Sequence, residues 1–463
     1  MCTRNVNLKW FAVVGMSLNI FAGAFNFLLV AASPYNLLEY YKRNDIGAID
    51  LVLQVASVGA IVVNVTCMYF VDKYGVGYSF LVGLSCGVLG VCLRIPAVYV
   101  QSISMDSNYI LFLISTILFN AQVSAFNGFQ TKLTSVWFAE KDRYLPNTVI
   151  SMTLSVGVFT TFICSFYILK KDINTGMEIY LWVGTCLEIV SIVWVSYFLF
   201  QTRLTGLPEI SADQTSLEIL EKYRFNRTEK HVTFLKRYLL TIWKEVKVWN
   251  SYGILLVILA IVYGAGTTVL SLQPQLVCPW GYSREITYWM SCTSIVLGGV
   301  TFAVAAAIIS DKFEKSENLL KTFIGTAPVM LIIGGVIIMK KYREWLLITV
   351  CFLIGGFIFP ILGLAYEMAV ECTYPMDTGL SAGLMQVCGN IVTFVVQIIF
   401  FKFSTRITDE TILSENSCVN NENFQIRNFS IPLWATGGFL GVFSIIFVVV
   451  FKCPFKRKNY QKI

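Results

Sequence analysis

Charge is what this chain has least of. Only 14% of its 463 residues are charged, against about 25% in a soluble chain, so there is too little charge to cover a water-facing surface. It holds one histidine, His231, which excludes axial histidine ligation inside any apolar segment. No CxxC pair occurs among its thirteen cysteines, and neither a GxxxxGK[ST] phosphate loop nor an HExxH zinc motif is present. Phosphate-cleaving and zinc chemistry therefore lack their usual ligands, and neither enzyme activity nor a cofactor or metal is expected. The cysteines are scattered, many in apolar segments (Cys86, Cys92, Cys164, Cys351, Cys388), and read as small packing residues. Cys278 and Cys418 fall in expected outer loops, where the two can pair. The short alternating segments of a membrane β-barrel are missing. So are a channel filter or charged ring and a basic folded domain able to hold nucleic acid.

What is there is apolar sequence, 56% of the whole. It comes in twelve blocks of about 20 residues, the length at which a helix crosses ~30 Å of hydrocarbon. They lie near 10–33, 51–71, 77–99, 109–131, 149–169, 178–200, 252–272, 286–309, 322–340, 345–366, 379–401 and 432–451. Inside a bilayer a helix satisfies its own backbone groups, so the expected fold is an all-α polytopic membrane bundle of twelve helices in two six-helix halves. The first block is too long for a signal core and lacks a small-residue cleavage site, so it reads as the first span.

Twelve spans put both termini on one side. With that side cytoplasmic, 23 of the 35 Lys and Arg residues fall on it, which is the positive-inside pattern. The expected organisation is a half over 1–200, a linker over 201–250, a second half over 251–451 and a basic tail over 452–463. The linker carries Ile219, Leu220, Tyr223, Phe234, Leu235, Tyr238 and Leu239 at near-helical spacing, which predicts an amphipathic helix on the inner membrane face. Asn428-Phe-Ser is an outer-loop glycan acceptor sequence. The topology has a direct check. In intact cells an impermeant thiol reagent is expected to label Glu415→Cys and not Thr215→Cys; the opposite pattern overturns it.

The halves echo each other. The second span ends in 71-VDKYG-75 and the eighth in 310-SDKFE-314, their Asp-Lys pairs 239 residues apart. The same interval carries 134-TSVWFAEK-141 to 373-TYPMDTGL-380. Parallel six-helix repeats are the plan of the major facilitator architecture, with substrate held between the halves near the midplane. The turn reading places 367–378 between spans ten and eleven. Glu367 and Glu371, four residues apart on one helical face that ends before Pro375, then face Lys132, Lys141 and Arg143 of the other half across the inner mouth. Together with Asp72, Lys73, Asp311 and Lys312 they are candidate gating residues, pairing when the mouth closes.

The stretch 366-YEMAVECTYPMDTGLSAGL-384 resembles the [FY]-E-x-A-V-E-x-T-Y-P-x-x-x-G-x-S-x-G-L segment of the feline leukaemia virus subgroup C receptor-like transporters, a major facilitator branch. Two further segments are similar to theirs: 131-TKLTSVWFAEKD-142, and 48-AIDLVLQVAS-57 with 71-VDKYGVGY-78. The resemblance implies transport of choline and ethanolamine and, for some members, haem. It also implies a headgroup site of Trp, Tyr and two Gln, whose positions fall here on Phe27, Ser271, Ser155 and Asn390. Of these Phe27 and Asn390 keep similar chemistry, and Tyr263 stands near Ser271.

Polar residues inside spans are costly, and they usually face a pathway or a neighbouring helix. Span eleven has Gln386, Asn390, Thr393 and Gln397 at 0, 4, 7 and 11, a single stripe. Span one has Asn19, Asn26 and Ser33; span four has Asn120, Ser124 and Asn127. The candidate substrate contacts are Phe27, Asn26, Asn120, Ser155, Tyr263, Ser271, Gln386 and Asn390. Glu188, midway along span six, is a candidate proton carrier or a packing contact, and Arg94 near the outer end of span three is expected to snorkel. The expected function is alternating-access transport of a choline- or ethanolamine-like amine. Haem or another porphyrin is the alternative, and a receptor or scaffold without flux is the other class. The partners expected are a small-molecule substrate and the lipid bilayer, with the protein acting as a monomer in the plasma membrane or an organelle membrane.

Overall fold

The computed structural model describes residues 2–43, 47–99, 105–138, 144–169, 173–205, 240, 251–313, 316–373, 378–406 and 427–454. The expected linker helix, His231, Cys418, Lys141, Arg143 and most of the basic tail lie outside the described residues. The same holds for the side chains of Asp72, Asp311 and Lys312 and for that of Cys278.

Among the described residues, twelve helical stretches are long and apolar enough to span a membrane, from 9–32 to 430–450. The first half is α1 (Cys2–Ala32), the short α2 (Pro34–Tyr40), α3 (Gly47–Tyr74), α4 (Val76–Tyr99), α5 (Met105–Trp137), α6 (Tyr144–Ile168) and α7 (Ile173–Thr205). The second half opens with α8 (Ser251–Ser271) and the short α9 (Gln273–Val277). The next span is built in three pieces: α10 (Arg284–Cys292), a π-helical segment (Thr293–Val300) and α11 (Thr301–Phe313). Then come α12 (Ser316–Met339), α13 (Glu344–Thr373), α14 (Thr378–Lys402) and α15 (Ser430–Val450). Between the last two, β1 (Thr405–Arg406) pairs antiparallel with β2 (Arg427–Asn428). Here the near end is the side where α1 begins and α15 finishes, and the far end is the opposite one.

Three expectations need correction. The tenth span does not stop at residue 366. Helix α13 runs on through Glu367 and Glu371 to Thr373, because 366-YEMAVECT-373 contains good helix formers and the chain meets Pro375 only two residues later. The eighth span is not one α-helix. Ser294 in its π segment sets its carbonyl oxygen against Gly355 of α13, and Gly298 meets the Phe352 carbonyl in the same crossing. Arg94 does not snorkel. It is fully buried, its Nε donating to Ser115 Oγ (2.8 Å) and its Nη2 to Thr116 Oγ1 (3.0 Å). The rings of Phe112 and Phe119 flank its guanidinium at 4.4 and 5.2 Å, so α5 supplies both hydroxyls and aromatic faces to a charge that cannot reach water.

The core shows how the halves meet. At the far end a single apolar cluster crosses both halves, joining Phe25, Leu29, Phe112 and Tyr180 to Leu272, Ile286, Leu347 and Phe400. At the near end each half has its own cluster. One contains Met16, Phe80, Phe126 and Phe198, the other Leu255, Phe323, Leu364 and Phe447. The near-end link is local: Met68 of α3 packs with Leu380 and Val387 of α14, beside Gly383, where an added Cβ would stand 2.7 Å from Met68. The far end is therefore sealed by shared core, and the seam between halves runs along α14 against α3 and α5 on one side and along α6 against α10 and the π segment on the other.

Candidate functional site

Helix α14 carries the polar stripe read from the sequence, and the structure gives each member a partner. Gln386 is held on both sides of its amide. Its Nε2 donates to the Tyr263 hydroxyl of α8 (2.8 Å), and its Oε1 accepts from the Tyr366 hydroxyl of α13 (2.6 Å). One turn on, Asn390 Nδ2 donates to Ser124 Oγ of α5, in the other half (3.1 Å). Next, the hydroxyls of Thr393 and Thr267 of α8 lie 2.9 Å apart. Then Gln397 Oε1 accepts from Ser57 Oγ of α3, again in the other half (3.3 Å). Gln386 and Thr393 thus bond to their own half, and Asn390 and Gln397 to the opposite one. All four are buried.

This alternation follows from helix geometry. Positions 386 and 393, and 390 and 397, are seven residues apart, two turns along nearly the same line. Helix α14 lies in a groove between α8 on one side and α3 with α5 on the other, so the two lines face different halves. Asn64 of α3 extends the polar seam, its Nδ2 donating to Ser124 Oγ (3.3 Å). The result is a ladder of neutral hydrogen-bonding groups inside an apolar bundle, with two phenol rings at one end. Such a ladder recognises polar solutes by hydrogen bonds and can exchange those bonds as the halves move.

Of the other sequence candidates, the structure gathers some and scatters others. Tyr263, Gln386 and Asn390 come together. Asn26 points into the α1–α7 packing, its Nδ2 donating to Gly184 O (2.8 Å). Asn120 donates to Ala56 O of α3 (2.9 Å). Ser155 is buried on α6, and Ser271, near the end of α8, donates to Thr268 O (3.0 Å). Phe27 is half-buried against the far-end core. Among the gating candidates, Lys73 is buried, its ammonium 5.8 and 5.6 Å from the ring centroids of Tyr69 and Tyr74. Glu371 is buried and Glu367 exposed.

Sequence reading missed Tyr366, Gln122 and a charge pair between halves. Tyr366 stood in the segment that drew attention, but as a family match and not as a site residue. At the far end Arg427 Nη1 lies 3.7 Å from Asp50 Oδ2, joining β2 to the start of α3. Arg43 pairs with Asp106 (2.5 Å) within the first half and lies 4.7 Å from the centroid of the Tyr109 ring. The only hint in the sequence was that Asp50 opens an otherwise apolar span.

Known proteins share this plan. Solute carrier family 49 member A3 of Xenopus tropicalis is 25% identical over 403 residues, covering 86% of this chain and 78% of that protein. Its namesake in Danio rerio is 22% identical over 407 residues, covering 86% and 78%. The crystal structure of a D-xylose-proton symporter superposes with a TM-score of 0.68 over 97% of this chain and 98% of that one. At 13% identity that likeness speaks to fold alone. A family model spans residues 15–396, most of both halves. By that match and by its twelve-span fold, the chain belongs to the Major Facilitator Superfamily, an integral multi-pass membrane protein of a family of solute transporters.

Proposed function

We propose that this protein moves a small polar solute of the choline–ethanolamine class by alternating access, and that Tyr263, Tyr366, Gln386 and Asn390 make up its contact set, with Ser124 as the partner of Asn390 across the halves. The observation that carries the reading is the α14 ladder, in which neighbouring polar residues bond alternately to the two halves. A solute entering here exchanges its lost water for carboxamide and phenol partners, without which a polar group in this interior costs several kcal/mol. The Tyr263 and Tyr366 rings offer faces to an ammonium, and their oxygens and the carboxamides offer partners to a hydroxyl. When the near-end mouth closes, Asn390 and Gln397 bond to the first half; when the far end opens, the shared core and the Asp50–Arg427 pair come apart. The matched segments resemble those of the feline leukaemia virus subgroup C receptor-like branch, and that resemblance supports an amine substrate. The haem reading draws on that resemblance alone.

The test is an uptake panel. Purified protein in vesicles is given labelled choline, labelled ethanolamine and haem. Saturable flux of choline or ethanolamine, suppressed by unlabelled competitor, is the expected result. Haem flux alone replaces the substrate class, and flux no greater than in protein-free vesicles for every compound favours a receptor or scaffold.

A further inference from the structure

The first half contains a carboxyl group with no cation to balance it. Glu188 of α7 is fully buried. Its Oε1 accepts from Gln122 Nε2 of α5 (2.6 Å), and it shares the single Ser191 hydroxyl proton (3.3 Å) with the backbone oxygen of Glu188, which lies closer to that hydroxyl (2.8 Å). Gln122 Nε2 also donates to Asn19 Oδ1 of α1 (3.0 Å), and Asn19 Nδ2 donates to Gly15 O (2.9 Å) and Ser191 O (3.3 Å). The fourth helix contributes no side chain. At Gly87 of α4 an added Cβ would stand 2.6 Å from Gln122 Oε1 and 2.9 Å from Glu188 Oε1.

Every N–H of the Asn19 and Gln122 amides and the Ser191 hydroxyl already has an acceptor. Two buried oxygens have no partner: Glu188 Oε2 and Gln122 Oε1. The cluster therefore has two unmatched acceptors and no unmatched donor. One proton on the carboxyl group supplies a donor to a cluster whose only unmatched groups are acceptors. It also removes a charge that nothing nearby compensates, and an uncompensated buried charge is the costlier defect. The groups facing Glu188 from α1, α4, α5 and α7 are Asn19, Gly87, Gln122 and Ser191, none of which titrates. The nearest interior titratable groups on α4 are Cys86, beside Gly87, and Arg94, seven residues or about 10 Å along the helix. The Arg94 guanidinium is engaged by Ser115, Thr116 and two rings.

We propose that Glu188 and Gln122 form a proton-binding site in the core of the first half, and that its occupancy is linked to the transport cycle through α5. The link is short. Ser124, two residues beyond Gln122 on α5, is the residue that Asn390 of the other half donates to. The Gln122 amide turns to match a neutral or an ionised Glu188, and that adjustment acts on the same turn of α5 that holds the inter-half contact. The reaction is simple proton exchange: hydronium gives its proton to the carboxylate and becomes water, and the reverse returns it. The link to flux rests on the transport reading above; proton binding at Glu188 does not.

The experiment is therefore made without solute. Infrared difference spectra between acid and alkaline pH are recorded on purified protein in lipid nanodiscs, for wild type, Glu188→Gln and Glu188→Asp. The expected result is a carboxylic-acid carbonyl band that grows as pH falls in wild type, moves in Glu188→Asp and is absent from Glu188→Gln at every pH. Thermal melting of each variant shows whether it is folded, and Glu188→Asp carries the test if the glutamine variant is not. A difference spectrum identical in all three proteins overturns the proposal, and so does a Glu188 band that stays constant over the whole pH range in which the protein is folded. A titrating band with no flux in the uptake panel leaves the proton site standing and removes the transport reading. Choline flux with no titrating band does the opposite.

Discussion

Gly355→Ala is expected to leave almost no folded protein in the membrane. The Cβ it adds falls inside the van der Waals shell of Ser294, and the three nearest atoms are that residue's carbonyl oxygen, carbonyl carbon and Cα. None belongs to a flexible side chain, so relief requires α13 and the π segment to move apart as bodies. That separation also undoes the adjoining contacts, where Gly298 meets the Phe352 carbonyl and Gly356 meets the ring of Phe302. Ordinary overpacking costs about 1–3 kcal/mol where side chains can shift; a backbone-on-backbone collision has no such outlet. The cost then approaches the 5–15 kcal/mol that holds a typical domain together. Gly363, on the same helix, is the control, since nothing lies within 4 Å of its added Cβ. Gly363→Ala is expected to match wild type or gain slightly, because alanine favours the helix by roughly 1 kcal/mol. The monodisperse fraction on detergent gel filtration and the melting temperature decide between them. If both variants behave alike, the α13–π crossing is not as close as described.

How much of this fold was legible follows from which physical quantity each part depends on. The twelve spans were readable because bilayer thickness imposes a length and an apolarity that no loop shares, and the observed spans match the expected blocks to within a few residues at most boundaries. The widest departures are the near ends of α12, which begins at Ser316 and not near 322, and of α13, where polar residues suggested a turn; Glu367 and Glu371 are helix formers, and burial in the bundle keeps that helix going. The π segment was not readable. Hydropathy is blind to whether a carbonyl bonds to the fourth or fifth residue onward. The Gly298-Gly299 and Gly355-Gly356 pairs were the available hint of a close crossing. Arg94 shows a similar gap. Its cost in the membrane was evident, but its cage comes from Phe112, Ser115, Thr116 and Phe119 of another helix, and the register between two helices is not written in the periodicity of either.

The site was legible in the same partial way. Spacing alone put Gln386, Asn390, Thr393 and Gln397 on one stripe, and Tyr263 was named beside it. That the stripe divides its bonds between two halves depends on where α3, α5 and α8 sit around α14. The polar line of α1 shows the limit: Asn19 and Asn26 have the same periodicity, yet both turn to α7 inside their own half. Periodicity marks a face, and packing decides what that face meets.

Asn390→Leu and Gln386→Leu are expected to lower uptake per folded molecule by different routes. Leucine at 386 leaves the hydroxyls of Tyr263 and Tyr366 without their shared partner. It removes from the proposed contact set a carboxamide that offers both a donor and an acceptor. Losing such a contact costs about 1–3 kcal/mol, or roughly 5- to 150-fold in affinity, and on this reading the loss appears as a raised KM. Asn390 has a second duty, since its bond to Ser124 is one that must form and break between the halves. Leucine there weakens solute contact and also shifts the balance between states, so the maximal rate is expected to change together with KM. Ser124→Ala separates the two duties: it removes the inter-half bond while leaving the Asn390 amide to the solute. The expected result is a changed maximal rate with KM nearly kept. If the polar residues of α14 serve packing alone, all three variants reduce the amount of folded protein at the surface and transport per molecule stays at the wild-type level. Uptake normalised to surface protein, measured over a range of solute concentrations, distinguishes these outcomes. Wild-type kinetics in both leucine variants removes Gln386 and Asn390 from the pathway.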